Sequence, residues 1–279
     1  MRPRTMPTHS AGCPPDFRAM SAGLICLLFG AVGVSAQADA QSSSGAQTPS
    51  AQSAASSGWQ IDLTGYLWMS GVDLNVTGPR GRNASASYSF SEIVDHLHGI
   101  PFMDAAEIRN GRFSLIGDII YLPVGGSTPI RNPVFSGASL NLDVTIGTVL
   151  GSYRLIEEPS GSLDIGGGVR TYGVSTLTSL HAGVLPGRAI STWASTADPV
   201  IMMRGAVGLG SGFGVLAYAD VGGFGLGTKV SWQVIGGLSY EFSKSISLKL
   251  GYRYLHVEME RANVTVGIGG PFLATTFRF

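Results

Sequence analysis

The sequence predicts an all-β fold, a transmembrane antiparallel up-and-down β-barrel, and three observations carry that prediction. The 279 residues include 40 Gly and 44% hydrophobic side chains but only 13% charged ones. With a mean hydropathy of +0.24, the chain is too apolar for an ordinary soluble domain. No apolar run reaches the roughly 20 residues that a spanning helix needs. Apolar residues recur instead at every second position in segment after segment, a spacing that only β-strands place on one face. Eighteen Lys and Arg balance eighteen Asp and Glu, so no charge excess points to nucleic acid or an anionic surface.

Residues 1–40 read as an address. Arg18 precedes an apolar stretch from Ala22 to Val34, followed by the small-residue sequences Val34-Ser35-Ala36 and Ala38-Asp39-Ala40, the order of a secretory signal peptide. The four Pro among the first seventeen residues are foreign to such a signal, which makes Met20 an alternative start. Both cysteines, Cys13 and Cys26, fall before the cleavage region, so the mature chain needs neither disulfide nor thiolate chemistry. Bulky Leu24 and Ile25 before Cys26 argue against a lipid anchor. Residues 41–58 are Ser, Ala, Gln and Gly with a Thr and a Pro, and cannot bury enough surface to offset their ordering entropy; they read as a flexible linker. The folded unit is 59–279.

Ten strands follow in order. At 59–69, Trp59, Ile61, Leu63, Leu67 and Met69 alternate with Gln60, Asp62, Thr64, Tyr66 and Trp68; a weaker strand spans 102–109; Phe113, Leu115, Ile119 and Tyr121 alternate with Ser114 and Asp118. From 140, Leu142, Val144, Ile146 and Leu150 alternate with Asn141, Asp143 and Thr145, and the former set is assigned to lipid. Leu163, Ile165 and Val169 oppose Asp164 and Arg170; Ile201, Met203, Val207 and Leu209 oppose Arg204; Val215, Ala217 and Val221 oppose Tyr218 and Asp220. The clearest strand is 230–242, with Val230, Trp232, Val234, Leu238, Tyr240 and Phe242 on one face. Leu248, Leu250, Tyr252 and Tyr254 then oppose Lys249 and Arg253, and Leu273, Thr275, Phe277 and Phe279 oppose Arg278. Each is about the 9 to 11 residues that a tilted strand needs to cross a bilayer.

Short connections at 110–111, 157–162, 210–212 and 243–245 alternate with mostly longer ones, including loops expected at 70–100, 124–137 and 176–197. That asymmetry places the short turns and both chain ends in the periplasm and makes the strand number even, ten with eight or twelve as alternatives. The soluble alternative, a sandwich or lipocalin-like barrel, would put the charged face outside. One short helix is expected near 89–98, where Phe90, Ile93, Val94 and Leu97 have helical spacing and Ser89 or Ser91 can cap. Asp104 conflicts with the scheme, since it shares the lipid-facing parity of Phe102 and Ile108. The Gly-rich run 208–214 sits between strands with no helix behind it and reads as a tight turn, not a phosphate loop.

The other face predicts a lumen charge network: acids Asp62, Glu107, Asp118, Asp143, Asp164, Asp220 and Glu241, and bases Arg109, Arg170, Arg204, Lys249, Arg253 and Arg278, with Asp198 at the rim. Near-equal opposite charges in a narrow interior should pair and close it, because an unpaired buried charge is far more costly than a paired one. No metal site, cofactor or catalytic group is expected. His256, Glu258, Asp198 and Asp73 form the one rim constellation that an enzyme reading, a protease or a lipid-modifying activity, could use.

Trp59 with Tyr66-Leu67-Trp68, Asp198-Pro199-Val200, Asp220-Val221-Gly222-Gly223-Phe224-Gly225, Gly251-Tyr252-Arg253-Tyr254-Leu255 and Gly270-Pro271 through Phe279 resemble a family of uncharacterised proteobacterial outer-membrane β-barrel proteins. The likeness spans most of 59–279, and small barrels of the OmpA and OmpW type are similar in architecture. It implies a Gram-negative outer membrane and brings no activity. The tail also resembles the strand by which the barrel-insertion machinery recognises its substrates, with Phe277 and Phe279 as the insertion signal. The expected protein is therefore a monomeric barrel with an occluded polar lumen, in contact with outer-membrane lipid and lipopolysaccharide and not with nucleic acid. It would serve a structural or interaction role or as a narrow, porin-like passage for a small solute.

Overall fold

The computed structural model describes residues 58–77, 83–132, 135–259 and 263–279; the signal peptide over 1–40 and the linker over 41–58 lie outside them, Gly58 excepted. The elements in chain order are β1 (Trp59–Trp68), β2 (Gly71–Thr77), β3 (Asn83–Tyr88), α1 (Phe90–Asp95), β4 (Phe102–Asn110), β5 (Phe113–Asn132), β6 (Phe135–Glu158), β7 (Gly161–Ala182), β8 (Arg188–Gly210), β9 (Phe213–Gly222), β10 (Val230–Ser243), β11 (Ile246–Met259) and β12 (Val264–Arg278). Strands β1 and β4 to β12 pair antiparallel in order, and β12 returns to β1, with Leu63 opposite Phe277 and Leu67 opposite Leu273. Closure leaves no edge within these ten strands where they overlap, so each backbone polar group finds a neighbour. The β2–β3 hairpin is added outside this ring, pairing with the far half of β12. No helix among the described residues is long and apolar enough to cross a membrane, and strands do not need one.

Two-residue turns at 111–112, 159–160, 211–212 and 244–245 gather at one end, called here the turn end. In the Gly-rich turn, Gly210, Ser211 and Gly212 all take positive φ (90°, 52° and 82°), which is why glycine brackets the serine. Aromatic side chains ring the wall at this end: Phe113 on Tyr153, Phe213 on Tyr240, Tyr240 on Phe242. A second ring, with Phe102 opposite Tyr121 and Trp232 against Tyr254, lies about eight residues along the strands. Between them the outer wall is apolar and exposed, with Leu115, Val149, Ile201, Leu238 and Leu250. At about 3.3 Å per residue, the rings stand roughly 26 Å apart along the strands.

Above the second ring the two faces exchange character. On β1 the outer face carries Ile61, Leu63 and Leu67; on β2, which continues along β12, it carries Asp73 and Asn75, while Val72, Leu74 and Val76 turn inward. On β11, Leu250 and Tyr252 face out below, whereas Leu255 and Val257 are buried inside above. This exchange corrects the sequence reading of β6. Ile146 and Leu150 are buried in the interior and Val149 is exposed outside, so Leu142, Val144, Ile146 and Leu150 face in and Asp143 faces out. Asp143 is not a lumen residue: it accepts from Tyr121 Oη at 3.2 Å and lies 3.2 Å from His98 Nε2. The alternation was real, but its apolar half faces the interior: Leu142 and Val144 above the second ring, and Leu150 below it, at the level where Val149 is exposed on the outer wall.

The loops expected at 124–137 and 176–197 are instead extensions of β5 to β8, which run 20 to 24 residues. Together they make a four-stranded sheet projecting beyond the ring. The exposed chain from His96 to His98 lies along its β5 edge: Gly125 N–H donates to His96 O at 2.7 Å and His98 N–H to Pro123 O at 3.3 Å. The preceding helix, α1, occupies part of the 89–98 span. It is closed by a capping box in which Ser89 N–H donates to Glu92 Oε2 at 2.7 Å and Glu92 N–H to Ser89 Oγ at 3.4 Å. Asp104 does face outward, opposite Gly65 and Ile119. It sits one outward position below Phe102, near the interface where a carboxylate costs little.

Candidate functional site

The barrel interior is filled in three layers. Nearest the turn end, Glu107 on β4 reaches across to Arg204 on β8 through two bonds of 2.7 and 2.5 Å. Arg109 Nη2 donates to Glu107 and Asp164 at 2.6 and 2.9 Å, and Arg154 Nε and Arg204 Nε each donate to Asp164 at 2.9 Å. Since β4 and β8 stand on opposite sides of the ring, this cluster is a strut across the lumen. Beside it Arg278 Nε donates to Asp62 at 3.1 Å.

The middle layer is one continuous network. Arg253 on β11 donates to Asp118 at 3.1 Å, to Tyr66 Oη at 2.9 Å and to Gln233 Oε1 at 3.0 Å. Tyr66 Oη donates to Asp118 at 2.7 Å. Gln233 Nε2 donates to Asp220 at 3.3 Å; Asp220 also accepts from Tyr218 Oη at 2.6 Å and from both Nη atoms of Arg170, whose Nε donates to Thr148 at 3.2 Å. Arg170 is 1% exposed. A paired, bidentate and fully bonded arrangement is what makes such burial tolerable.

The Arg253 guanidinium also lies over Trp68, 4.8 Å from its ring centre, which joins the second layer to the third. There Trp68, Ile120, Ile146, Tyr172, Leu255 and Phe272 form a buried apolar cluster across the interior, with Trp68 Nε1 donating to Gly270 O at 3.2 Å. Higher still, the turn after β9 folds onto β8. Asp198, fully buried, accepts from Thr228 N–H at 2.7 Å, Thr228 Oγ1 at 2.5 Å and Ser231 Oγ at 3.2 Å.

Of the sequence-predicted lumen residues, Asp62, Glu107, Arg109, Asp118, Asp164, Arg170, Arg204, Asp220, Arg253 and Arg278 are brought into these contacts. Glu241 and Lys249 share the inner face below them, and Asp143 alone lies outside. Arg154 and Thr148 were missed because the faces of β6 were exchanged; the Thr148, Ser152, Arg154 parity was the available signal. The rim constellation does not converge. Asp198 points inside, Glu258 pairs with Lys229 at 2.7 Å, and His256 stacks on Trp232 on the outer wall, across Gly267 from Asp73. No group of three metal-ligating side chains occurs among the described residues. Phe277 and Phe279 are exposed at the turn end.

No protein family matches the chain, and no curated protein sequence matches it. Solved structures do. The outer membrane protease OmpT from Escherichia coli is similar with a TM-score of 0.50 and 10% identity over 80% of this chain and 98% of that one. The translocator domain of the autotransporter NalP from Neisseria meningitidis scores 0.40 with 12% identity, over 78% and 88%. Ail, the attachment invasion locus protein of Yersinia pestis, scores 0.36 with 12% identity, over 80% and 99%. At such identity the likeness to OmpT is one of fold: a closed antiparallel barrel of ten strands.

Proposed function

We propose that the chain is an outer-membrane β-barrel protein of a Gram-negative bacterium with a closed, non-conducting lumen, and that its role is structural or one of interaction through the sheet it holds beyond the belt. The observation that carries this reading is the apolar layer around Trp68, Leu255 and Phe272, stacked on an ionic strut and a bonded polar network. Ions crossing the lumen would have to displace all three. The exposed band between two aromatic rings supports a bilayer setting, with lipid and lipopolysaccharide against that wall and insertion through the Phe277 and Phe279 tail. The projecting sheet supports the interaction role. Its β5 edge is covered at Pro123–Gly125 by 96–98, and β8 pairs with β9 only from Val200 onward, so the uncharged start of β8, Ala189–Thr192, runs past the end of β9 as a surface to which strands add. Asp198 is turned inside and His256 stacks on Trp232, which supports a non-enzymatic reading.

The test is planar-bilayer recording of the refolded protein, joined with fractionation of cells expressing it. We expect outer-membrane recovery, heat-modifiable migration and no steady conductance. A stable conductance of porin size would overturn the closed lumen, and recovery in the soluble periplasmic fraction would overturn the location.

A further inference from the structure

The ionic layer has one more cation than it can satisfy, and that cation faces a chamber. Arg109, Arg154 and Arg204 share the two carboxylates of Glu107 and Asp164. Glu157 approaches Arg154 to only 3.7 Å, from a half-exposed position on the rim. Arg278 takes Asp62. Lys249, on the same inner face, has no ion pair or hydrogen bond among the described residues, although it lies in the field of Asp62, Glu107, Arg204 and Arg278. The remaining carboxylate, Glu241, is exposed at the mouth and forms no ion pair there. Lys249, Glu241, Arg278 and the arginine–carboxylate cluster line a cavity of about 420 Å³ that opens at the turn end, where the Arg278 side chain is 43% exposed, and is closed above by the polar network. A half-buried ammonium with no counterion is a standing cost that a bound anion removes.

We propose that this chamber is a binding site for a small oxyanion, a phosphate or a compact carboxylate entering from the turn end, seated on Lys249. The site holds its ligand rather than passing it on, because the layers above leave no route. Its size admits a small solute and excludes a chain.

The test compares thermal unfolding midpoints of the folded barrel in detergent, in sodium phosphate and in sodium chloride of equal ionic strength. At roughly thirty times its Kd, phosphate should raise the wild-type midpoint by about 5 °C, and Lys249→Met should abolish the difference. Ser239→Glu is the second variant. Ser239 stands opposite Lys249 in the β10–β11 register, so a carboxylate there substitutes for the ligand; this variant should fold with a midpoint at least that of wild type and respond to neither salt. Equal wild-type midpoints in the two salts overturn the proposal, as does a full phosphate response in either variant. Should Lys249→Met fail to fold, Ser239→Glu and the wild-type comparison decide it.

Discussion

At the scale of single residues, the interior is a set of charges that tolerate burial only in company. Asp220 serves Arg170, Tyr218 and Gln233 at once, so Asp220→Asn should destabilise the folded barrel by about 3–5 kcal/mol, the cost of stranding a buried guanidinium. Replacing both partners, Arg170→Met with Asp220→Leu, should cost clearly less; urea unfolding of wild type, Arg170→Met, Asp220→Leu and the double variant as a double-mutant cycle measures the difference. Asp104 is the contrasting case: it bonds to no described residue and lies just below the upper aromatic ring. Asp104→Leu should change stability by less than about 1 kcal/mol in the same assay. Outside the belt, the Ser89 hydroxyl and backbone N–H hold the Glu92 carboxyl below its usual range. A depressed carboxyl contributes above its unfolded pKa and loses that contribution as pH falls through the folded one. Amide protection at Ile93 and His96 should therefore persist down to the ordinary Glu value, about 4.3, and fade only below it, whereas Ser89→Ala should lack the protection throughout.

At the scale of elements, strand existence was legible because alternation needs no tertiary knowledge: all ten ring strands stand where period two put them. Strand length and facing were less so. A sequence shows that Leu142, Val144 and Ile146 share a face, yet which medium that face meets depends on height above the belt, and the faces trade roles between Tyr121 and Leu122 or between Leu67 and Val72. The β2–β3 hairpin escaped notice because its outward residues are Asp, Asn and Ser, the vocabulary of loops. The turn after β9 shows what such a segment can be held by. A Cβ on Gly227 would come 2.3 Å from Ala197 O and 2.4 Å from Asp198 Oδ1, so only glycine lets Thr228 reach Asp198. Gly227→Ala should release residues 223–229 to hydrogen exchange and limited proteolysis while the heat-modifiable barrel band remains.

At the scale of the molecule, the residues that fill the interior were readable but their partners were not. Glu107 and Arg204 meet because ring closure sets β4 against β8, and nothing in the spacing of 107 and 204 encodes that. Lys249 was legible as an inward cation, whereas its lack of a partner among the described residues emerges only from the placement of its neighbours. The three layers are also redundant. Glu107→Gln with Arg204→Gln removes the strut alone, and bilayer recordings of that double variant should stay silent; conductance should appear only when the Arg253 network and the Trp68 layer are opened as well, as by adding Arg253→Ala, Trp68→Ala and Leu255→Ala.

Ring closure carries a last consequence, for how the chain reaches this state. The seam joins β1 to β12, and its ion pair, Asp62 with Arg278, links residues 216 apart. Apart from β1 with β4, across which β2, β3 and α1 intervene, every other ring pairing joins strands consecutive in the chain and can form as a local hairpin, but the seam pays nearly the whole loop-closure entropy of the chain in one step. Assembly is thus progressive until its end and then all-or-none. Until the first and last strands pair, the sheet they complete keeps two unpaired edges.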